Sequence, residues 1–370
     1  SELDAIGSAA SSYFDYLSTR SLYEIERENL ALTESNYQLA QLRIEIGAAE
    51  PVEVFRWEQE RASARATLIQ RESDRSNALV AFNLEIGAPR EAVWDFEDIE
   101  LADDDYYFLD NALEPLLTNT ADFREFGRFA QLFAVDNSPE LLAFDLQLAS
   151  QGILLKESQR RFMPEISGFA DYSRVFQGSS FLDTDSENQA SVGIQLSLPV
   201  FEGGQRKAEA MQNQAVIRGL GAQREKAKQE IEQRALAAFF EIGAAHPNLR
   251  LSRQSLEAAE KNYESNQEKY SQGAASILDL LDAQESLLAQ RQSAAVAVYD
   301  YLAAIHELQR SMAWFEYAKT AEEKGDLVDM LRRFIEFGES ADMSRNDEYQ
   351  KSARERAADA LRESGSELLD

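Results

Sequence analysis

The sequence predicts a mainly α-helical protein with a small β part, built from long helical hairpins that occur twice, one on each side of a single strand pair. Three observations predict it. Apolar residues recur every seven positions along two separate stretches, those stretches superpose when the chain is slid by 226 positions, and between them about ten residues alternate strictly between apolar and polar. A seven-residue repeat builds helices that pack side by side. Strict alternation builds a strand whose two faces meet different surroundings.

The first helix is expected from Ser8 to Ile46. Tyr23, Leu30, Tyr37 and Ile44 form one seam; Ile25, Leu32, Leu39 and Ile46 form another. One seam suits a two-stranded coiled coil, whereas two offset seams predict neighbours on both flanks. Gly47-Ala48-Ala49-Glu50-Pro51 supplies a stop, a turn and a proline suited to the first helical position. A second helix then runs from about Pro51 to Ile86 and ends at Gly87-Ala88-Pro89. Residues 1–89 therefore read as one helical hairpin.

Residues 90–137 read as an irregular acidic segment. Its Asp103-Asp104-Asp105 run is far more in keeping with a solvated loop than with a cation site. Residues 138–163 form a helix that leads into strands, with Ser138 as N-cap and Pro139 at the first helical position. Residues 164–200 carry two strands, Pro164 to Phe176 and Gln189 to Pro199, joined by the polar loop "QGSSFLDTDSEN". In the second strand Ala190, Val192, Ile194, Leu196 and Leu198 lie on one side, and Gln189, Ser191, Gly193, Gln195 and Ser197 on the other. That is the length and pattern of a tilted outer-membrane strand, although a half-buried hairpin in a soluble sheet alternates in the same way. Phe169, Tyr172, Phe176, Phe181 and Phe201 stand where interfacial girdle residues would.

Residues 201–313 form the second long hairpin. The shift of 226 sets Leu30 on Leu256, Asn36-Tyr37 on Asn262-Tyr263 and Gly47-Ala48-Ala49 on Gly273-Ala274-Ala275, with no gap, which marks an internal duplication. The helical stretch from Gly204 to Tyr270 would reach about 100 Å at 1.5 Å per residue. A kink or break is expected near His246-Pro247, because a proline inside a helix costs about 3 kcal/mol. Beyond the turn, Leu280, Leu287, Ala294, Tyr301 and Leu308 restore the seam. Residues 314–370 read as an acidic C-terminal tail with no tie to the repeat.

Composition removes several functions. Acidic residues outnumber basic ones by 66 to 37, giving a net charge of −29 and a field that repels nucleic acid. Cysteine is absent and His246 and His306 are the only histidines, so thiol chemistry and multi-histidine metal sites lack their ligands. No catalytic residue, cofactor or metal is expected. No run approaches the ~18 apolar residues of a membrane-spanning helix, and "SELDAIGSAASSYFDYL" shows no signal-peptide pattern.

Three stretches resemble the TolC-like outer membrane efflux protein family. "LPVFEGGQRKAEA" is similar to its strand-to-helix junction, here Pro199, Phe201, Gly203 and Gly204. "EKYSQGAASILDLLDAQESLLAQRQSAAVAVYDYLAAIHELQRSMA" is similar to its last hairpin, and "NSPELLAFDLQLASQGILLKESQRRFMPEISGFADYS" to its helix leading into a strand. The resemblance implies a homotrimer with an α-barrel and a shared transmembrane β-barrel, set in the bacterial outer membrane and extending into the periplasm. It implies a passive exit duct for efflux or type I secretion, with an inner-membrane pump, a periplasmic adaptor and outer-membrane lipid as partners. Against the family's four strands per protomer this chain carries two, and it begins within what would be the first long helix. It is therefore expected to be N-terminally incomplete.

The same resemblance assigns roles to residues. The turns Gly47, Ala48, Ala49 and Gly273, Ala274, Ala275 would form the periplasmic tip and adaptor docking site. Asp279 and Asp282 would ring the channel aperture; their i, i+3 spacing places both on one helical face. The same aspartates suit the first turn of any helix, where the macrodipole favours them. Tyr270 and Glu53 match a closed-state gate network. Ala275 stands where a basic residue anchors that network in relatives, and a local Glu53–Arg56 pair is the other candidate contact. The alternative function is a periplasmic coiled-coil adaptor or structural scaffold. A di-metal enzyme is disfavoured, because neither histidine lies three residues after a glutamate.

Overall fold

A computed structural model of the chain describes residues 2–96, 120–160, 165–174, 188–198 and 203–337. Seven helices and two strands follow in order: α1 (Glu2–Glu45), α2 (Pro51–Glu85), α3 (Thr120–Asn137), α4 (Pro139–Arg160), β1 (Glu165–Arg174), β2 (Asn188–Ser197), α5 (Gln205–Ser271), α6 (Ile277–Ser311) and α7 (Ala321–Phe337). They fall into two compact units: residues 1–138 with 231–370, and residues 139–230.

In the first unit α1 packs along both α2 and α6, as its two seams require. The α1–α2 contact is stitched by cations lying over aromatic faces. Arg75 sits 4.4 Å from the Tyr23 ring and Arg61 4.4 Å from the Tyr37 ring. The two rungs are two heptads apart on each helix. Toward α6 the packing is polar instead. Glu26, Asn29, Thr33 and Asn36, three or four residues apart on α1, are all buried, as is Gln284 on α6. The Gln284 amide nitrogen donates to Asn29 Oδ1 (3.1 Å) and Thr33 Oγ1 (2.7 Å), and its Oε1 accepts from Asn36 Nδ2 (2.8 Å).

Four helix ends share one closure. Gly47, Gly87, Gly273 and Ala313 take left-handed backbone, with φ of 74, 69, 75 and 52°. In each case the next residue's N–H bonds back five positions, as Ala48 does to the Arg43 carbonyl (2.8 Å) and Ala274 to that of Lys269 (2.7 Å). These are Schellman caps, which satisfy the last helical carbonyls. The duplication maps Gly87 onto Ala313, so one copy has put a side chain where the backbone favours glycine.

The main apolar core joins α3, α5, α6 and α7. Phe126, Phe129 and Phe133 of α3 recur at helical spacing and meet Phe239 of α5 and Phe334 of α7; Phe126 and Phe239 stand perpendicular at 5.0 Å. Two expectations change here. Residues 120–137, expected to be irregular, form a helix, because its aromatic spacing gives it a buried face. Residues after Trp314, expected to be untied to the repeat, include a short 3-10 turn (Glu316–Ala318) and α7, whose Leu327, Leu331 and Phe334 are buried in this core.

The expected break at Pro247 is absent, since α5 is continuous from Gln205 to Ser271. Phe239 and Ile242 before the proline are fixed in the core and Leu249 after it packs against them, an anchoring on both sides that offsets the lost hydrogen bond. The carbonyl that loses its partner belongs to Gly243, where an added Cβ would lie 2.5 Å from Phe123. Both histidines are packed: His246 lies 5.7 Å from the Tyr301 ring, and His306 stacks on Phe315 at 5.2 Å, its burial pushing the imidazole pKa down.

In the second unit β1 and β2 pair antiparallel from Glu165↔Ser197 to Arg174↔Asn188. This register sets Ile166 against Leu196, Gly168 against Ile194, Ala170 against Val192 and Tyr172 against Ala190. One face is therefore wholly apolar over these four pairs. The other carries Ser167, Asp171, Ser191 and Gln195, with Phe169 lying across Gly193, where a Cβ would meet its ring at 2.6 Å. The apolar face is exposed, Val192 by 86% and Ile194 by 82%. Arg224 of α5 binds Asp145 of α4 through two nitrogens (2.7 and 3.2 Å); half-exposed, the pair contributes at most about 1 kcal/mol. Asp103-Asp104-Asp105, Phe176, Phe181 and the part of the tail beyond residue 337 lie outside the described residues.

Ala313 gives a first prediction. A non-glycine residue in the left-handed region is disfavoured by about 1–2 kcal/mol, partly returned by the greater freedom of glycine when unfolded. Ala313→Gly is expected to raise stability by up to about 1 kcal/mol, read from denaturant unfolding of both proteins.

Candidate functional site at the hairpin tips

The tips of both hairpins meet in the first unit around Tyr270, which is fully buried beside Trp57, Ala40, Ile277 and Leu280. Its hydroxyl donates to Glu53 Oε2 at 2.6 Å. The guanidinium of Arg43 lies 4.1 Å over the Tyr270 ring, 3.9 Å from the same Glu53 oxygen, and donates to the Ala48 carbonyl at 3.2 Å. One arginine thus touches the turn of the first hairpin, the start of α2 and the end of α5. Burial, reinforced by the hydrogen bond to anionic Glu53, pushes the Tyr270 phenol up to about 12.

The resemblance placed Tyr270 and Glu53 in one network, and the structure brings them together. A cation joins the pair from α1: Arg43, one turn before Gly47, a position where a basic residue reads as an ordinary complement to the helix dipole. Trp57 and Gln284 were likewise unmarked, and no periodicity signals which polar residue of a seam will bond. Glu53 engages Tyr270 and Arg43, so the expected local contact with Arg56 is not the one formed.

The two aspartates divide. Asp279 closes a capping box: its Oδ2 accepts from the Ser276 N–H (2.9 Å) and hydroxyl (2.8 Å), while the Ser276 hydroxyl accepts from the Asp279 N–H (3.3 Å). Those bonds hold its pKa below the usual carboxylate value. Asp282, one turn on and exposed, lines a groove of about 510 Å³ with Glu26, Glu60 and Glu285. There burial first, then repulsion from Glu285 and Glu26, raises the Glu60 pKa. At the strand-to-helix junction Gly203 and Gly204 have φ of 57 and 88°, values that favour glycine; Pro199 and Phe201 lie outside the described residues. Among the described residues no cluster of three or more His, Asp or Glu could hold a metal ion, and no helix is long and apolar enough to cross a membrane.

A phenol that ionises near pH 12 instead of 10 stabilises the fold fully below pH 10, and this contribution is lost as pH rises from 10 to 12. Tyr270→Phe is therefore expected to remove the most alkaline step from the tyrosinate absorbance titration. It should also make the decline of stability between pH 10 and 12 shallower.

Residues 134–313 match the family model described as "Outer membrane efflux protein". The outer membrane efflux protein BepC of Brucella suis is 22% identical over 310 residues, covering 83% of this chain and 62% of that protein. The outer membrane protein TolC of Escherichia coli is 30% identical over 120 residues, covering 32% and 24%. The chain thus spans less than two thirds of the length of these curated relatives. Among solved structures, the outer membrane protein VceC of Vibrio cholerae superposes with a TM-score of 0.65 at 17% identity, over 84% of this chain and 70% of that one.

Proposed function

We propose that this chain, which belongs to the TolC-like outer membrane efflux protein family through residues 134–313, forms part of a passive exit duct. The duct is a homotrimer in the bacterial outer membrane and extends into the periplasm. It conducts small molecules for an efflux pump or proteins for type I secretion, does no covalent chemistry, and works with a periplasmic adaptor and an inner-membrane pump. The two-faced strand pair inside the matching stretch carries this proposal. A ribbon with one wholly apolar face suits lipid, its polar face suits a wet lumen, and its open edges require further strands, because an unpaired backbone group in lipid costs several kcal/mol.

Within the first unit, the buried Tyr270–Glu53–Arg43 contact holds the two hairpin tips together and keeps the aperture closed. Asp279 and Asp282, repeated by the trimer, make two acidic rings that attract cations. Capping by Asp279 is compatible with that role, since its carboxylate stays ionised while bonded to Ser276. The turns at Gly47 and Gly273 present the adaptor docking surface.

Three outcomes test this. Arg43→Ala leaves Glu53 and Tyr270 without their cation and is expected to raise single-channel conductance in planar bilayers at least twofold; unchanged conductance would remove Arg43 from the gate. Asp279→Asn with Asp282→Asn is expected to weaken block by multivalent cations at least tenfold. Recovery of the protein in the soluble fraction instead of outer membranes would reject the duct and favour a periplasmic scaffold.

A further inference from the structure

We infer that Asn262 of one copy docks against the Tyr37–Glu58 pair of a second copy, forming the polar seam between protomers. The inference rests on the trimeric duct and names the contact that would assemble it. Its basis is a lock already closed inside the chain. Asn36 of α1 donates from Nδ2 to the Tyr263 hydroxyl (3.0 Å) and to Gln284 Oε1 (2.8 Å), and Gln267 donates to the same hydroxyl (3.2 Å). Asn36, Tyr263 and Gln284 are buried.

The 226-residue shift carries each part of this lock to a second place. Tyr263 falls on Tyr37, Gln267 on Gln41, Gln284 on Glu58, and Asn36 on Asn262. Three of the four residue types are the same. The fourth exchanges an amide for a carboxylate of the same shape and keeps the accepting oxygen. Part of the receiving half is assembled in the same way: Gln41 donates to the Tyr37 hydroxyl at 2.8 Å, as Gln267 does to Tyr263, while the Tyr37 hydroxyl itself donates to Glu58 Oε1 at 3.4 Å. Its Asn lies elsewhere, since Asn262 and Glu58 are both exposed on α5 and α2.

Chemistry and symmetry both identify the occupant as another copy of this chain. The internal lock joins α1 to α6, the first helix of one repeat to the second helix of the other. Its repeat-related counterpart joins α5 to α2, again crossing from one repeat to the other. Each copy carries Asn262 as key and Tyr37–Glu58 as lock on different surfaces, so the contact is heterologous and can propagate head to tail until a ring closes. A carboxylate acceptor makes the bond charge-assisted, and so stronger than its buried amide counterpart.

The chain contains no cysteine, which makes thiol cross-linking specific. Asn262→Cys with Glu58→Cys in the full chain, treated with a short bis-thiol reagent, is expected to give covalent dimers and trimers on non-reducing gels. Asn36→Cys with Gln284→Cys should join only within a chain and leave the mass unchanged. If native mass spectrometry shows trimers but the Asn262–Glu58 pair does not cross-link them, the pairing is overturned and the trimer stands. A protein that is monomeric throughout overturns both. As a second measurement, Asn262→Asp places like charges together and should lower the temperature at which the oligomer dissociates in detergent by several degrees. Adding Glu58→Gln should restore it, and absence of that rescue also overturns the pairing.

Discussion

A long helix with sticky surfaces on two flanks is not satisfied by one neighbour, and most of the architecture answers that requirement. For α1 the chain supplies both partners, but by different physics. Apolar seams with a seven-residue period hold helices together while discriminating poorly between registers one heptad apart. The polar ladder toward α6 makes that discrimination. A slip by one heptad, the spacing of Asn29 and Asn36, would set one of these asparagines in the other's place but take Thr33 and the second asparagine away from Gln284, leaving buried polar groups unsatisfied at about 1–3 kcal/mol each. Apolar area drives α1 into the bundle, and hydrogen bonds decide where it stops.

Duplication also produces a division of labour at the tips. Glu53 and Asp279 occupy the same repeat position, the third residue of a helix, yet they do different things. In the second copy the preceding cap is Ser276, whose hydroxyl and N–H bind Asp279 in a capping box. In the first copy the cap is Glu50, whose side chain makes no capping hydrogen bond, and Pro51 starts the helix. Nothing local then competes for Glu53, and its longer side chain reaches the Tyr270 hydroxyl. The changed cap three residues upstream and the longer side chain together release an acid from a structural task into a contact between hairpins. Arg43 completes that contact from α1.

Elements governed by local chemistry were legible in the sequence. Glycines followed by a helix-starting residue gave the tips, and strict alternation gave both strands to within two or three residues at either end. Elements governed by tertiary anchoring were not. The aromatic spacing from Phe123 to Phe133 lies in an acidic context that reads as irregular until α5 and α7 cover it. Pro247 reads as a break because propensity is local, whereas the packing of Phe239, Ile242 and Leu249 that keeps the helix continuous through it is not. Within the candidate site, Tyr270 and Glu53 were found through likeness. Arg43 was not, since its task depends on a tyrosine 227 positions away whose proximity no seam encodes.

The strand unit repeats the helical lesson by a different route. A lone two-stranded ribbon is marginally stable in water at best, and this one displays Val192, Ile194 and Leu196 in a row on an uncovered face. Its opposite face is polar apart from Phe169, which lies over Gly193 and covers backbone that glycine leaves bare. Reversing the faces by a one-residue register slip would put Ser, Gln and Asp where the apolar row now stands, so the pairing is tied to having two unlike surroundings. A two-stranded ribbon of this kind therefore leaves one apolar face and two strand edges that need covering, by a core or by lipid on the face and by further strands at the edges.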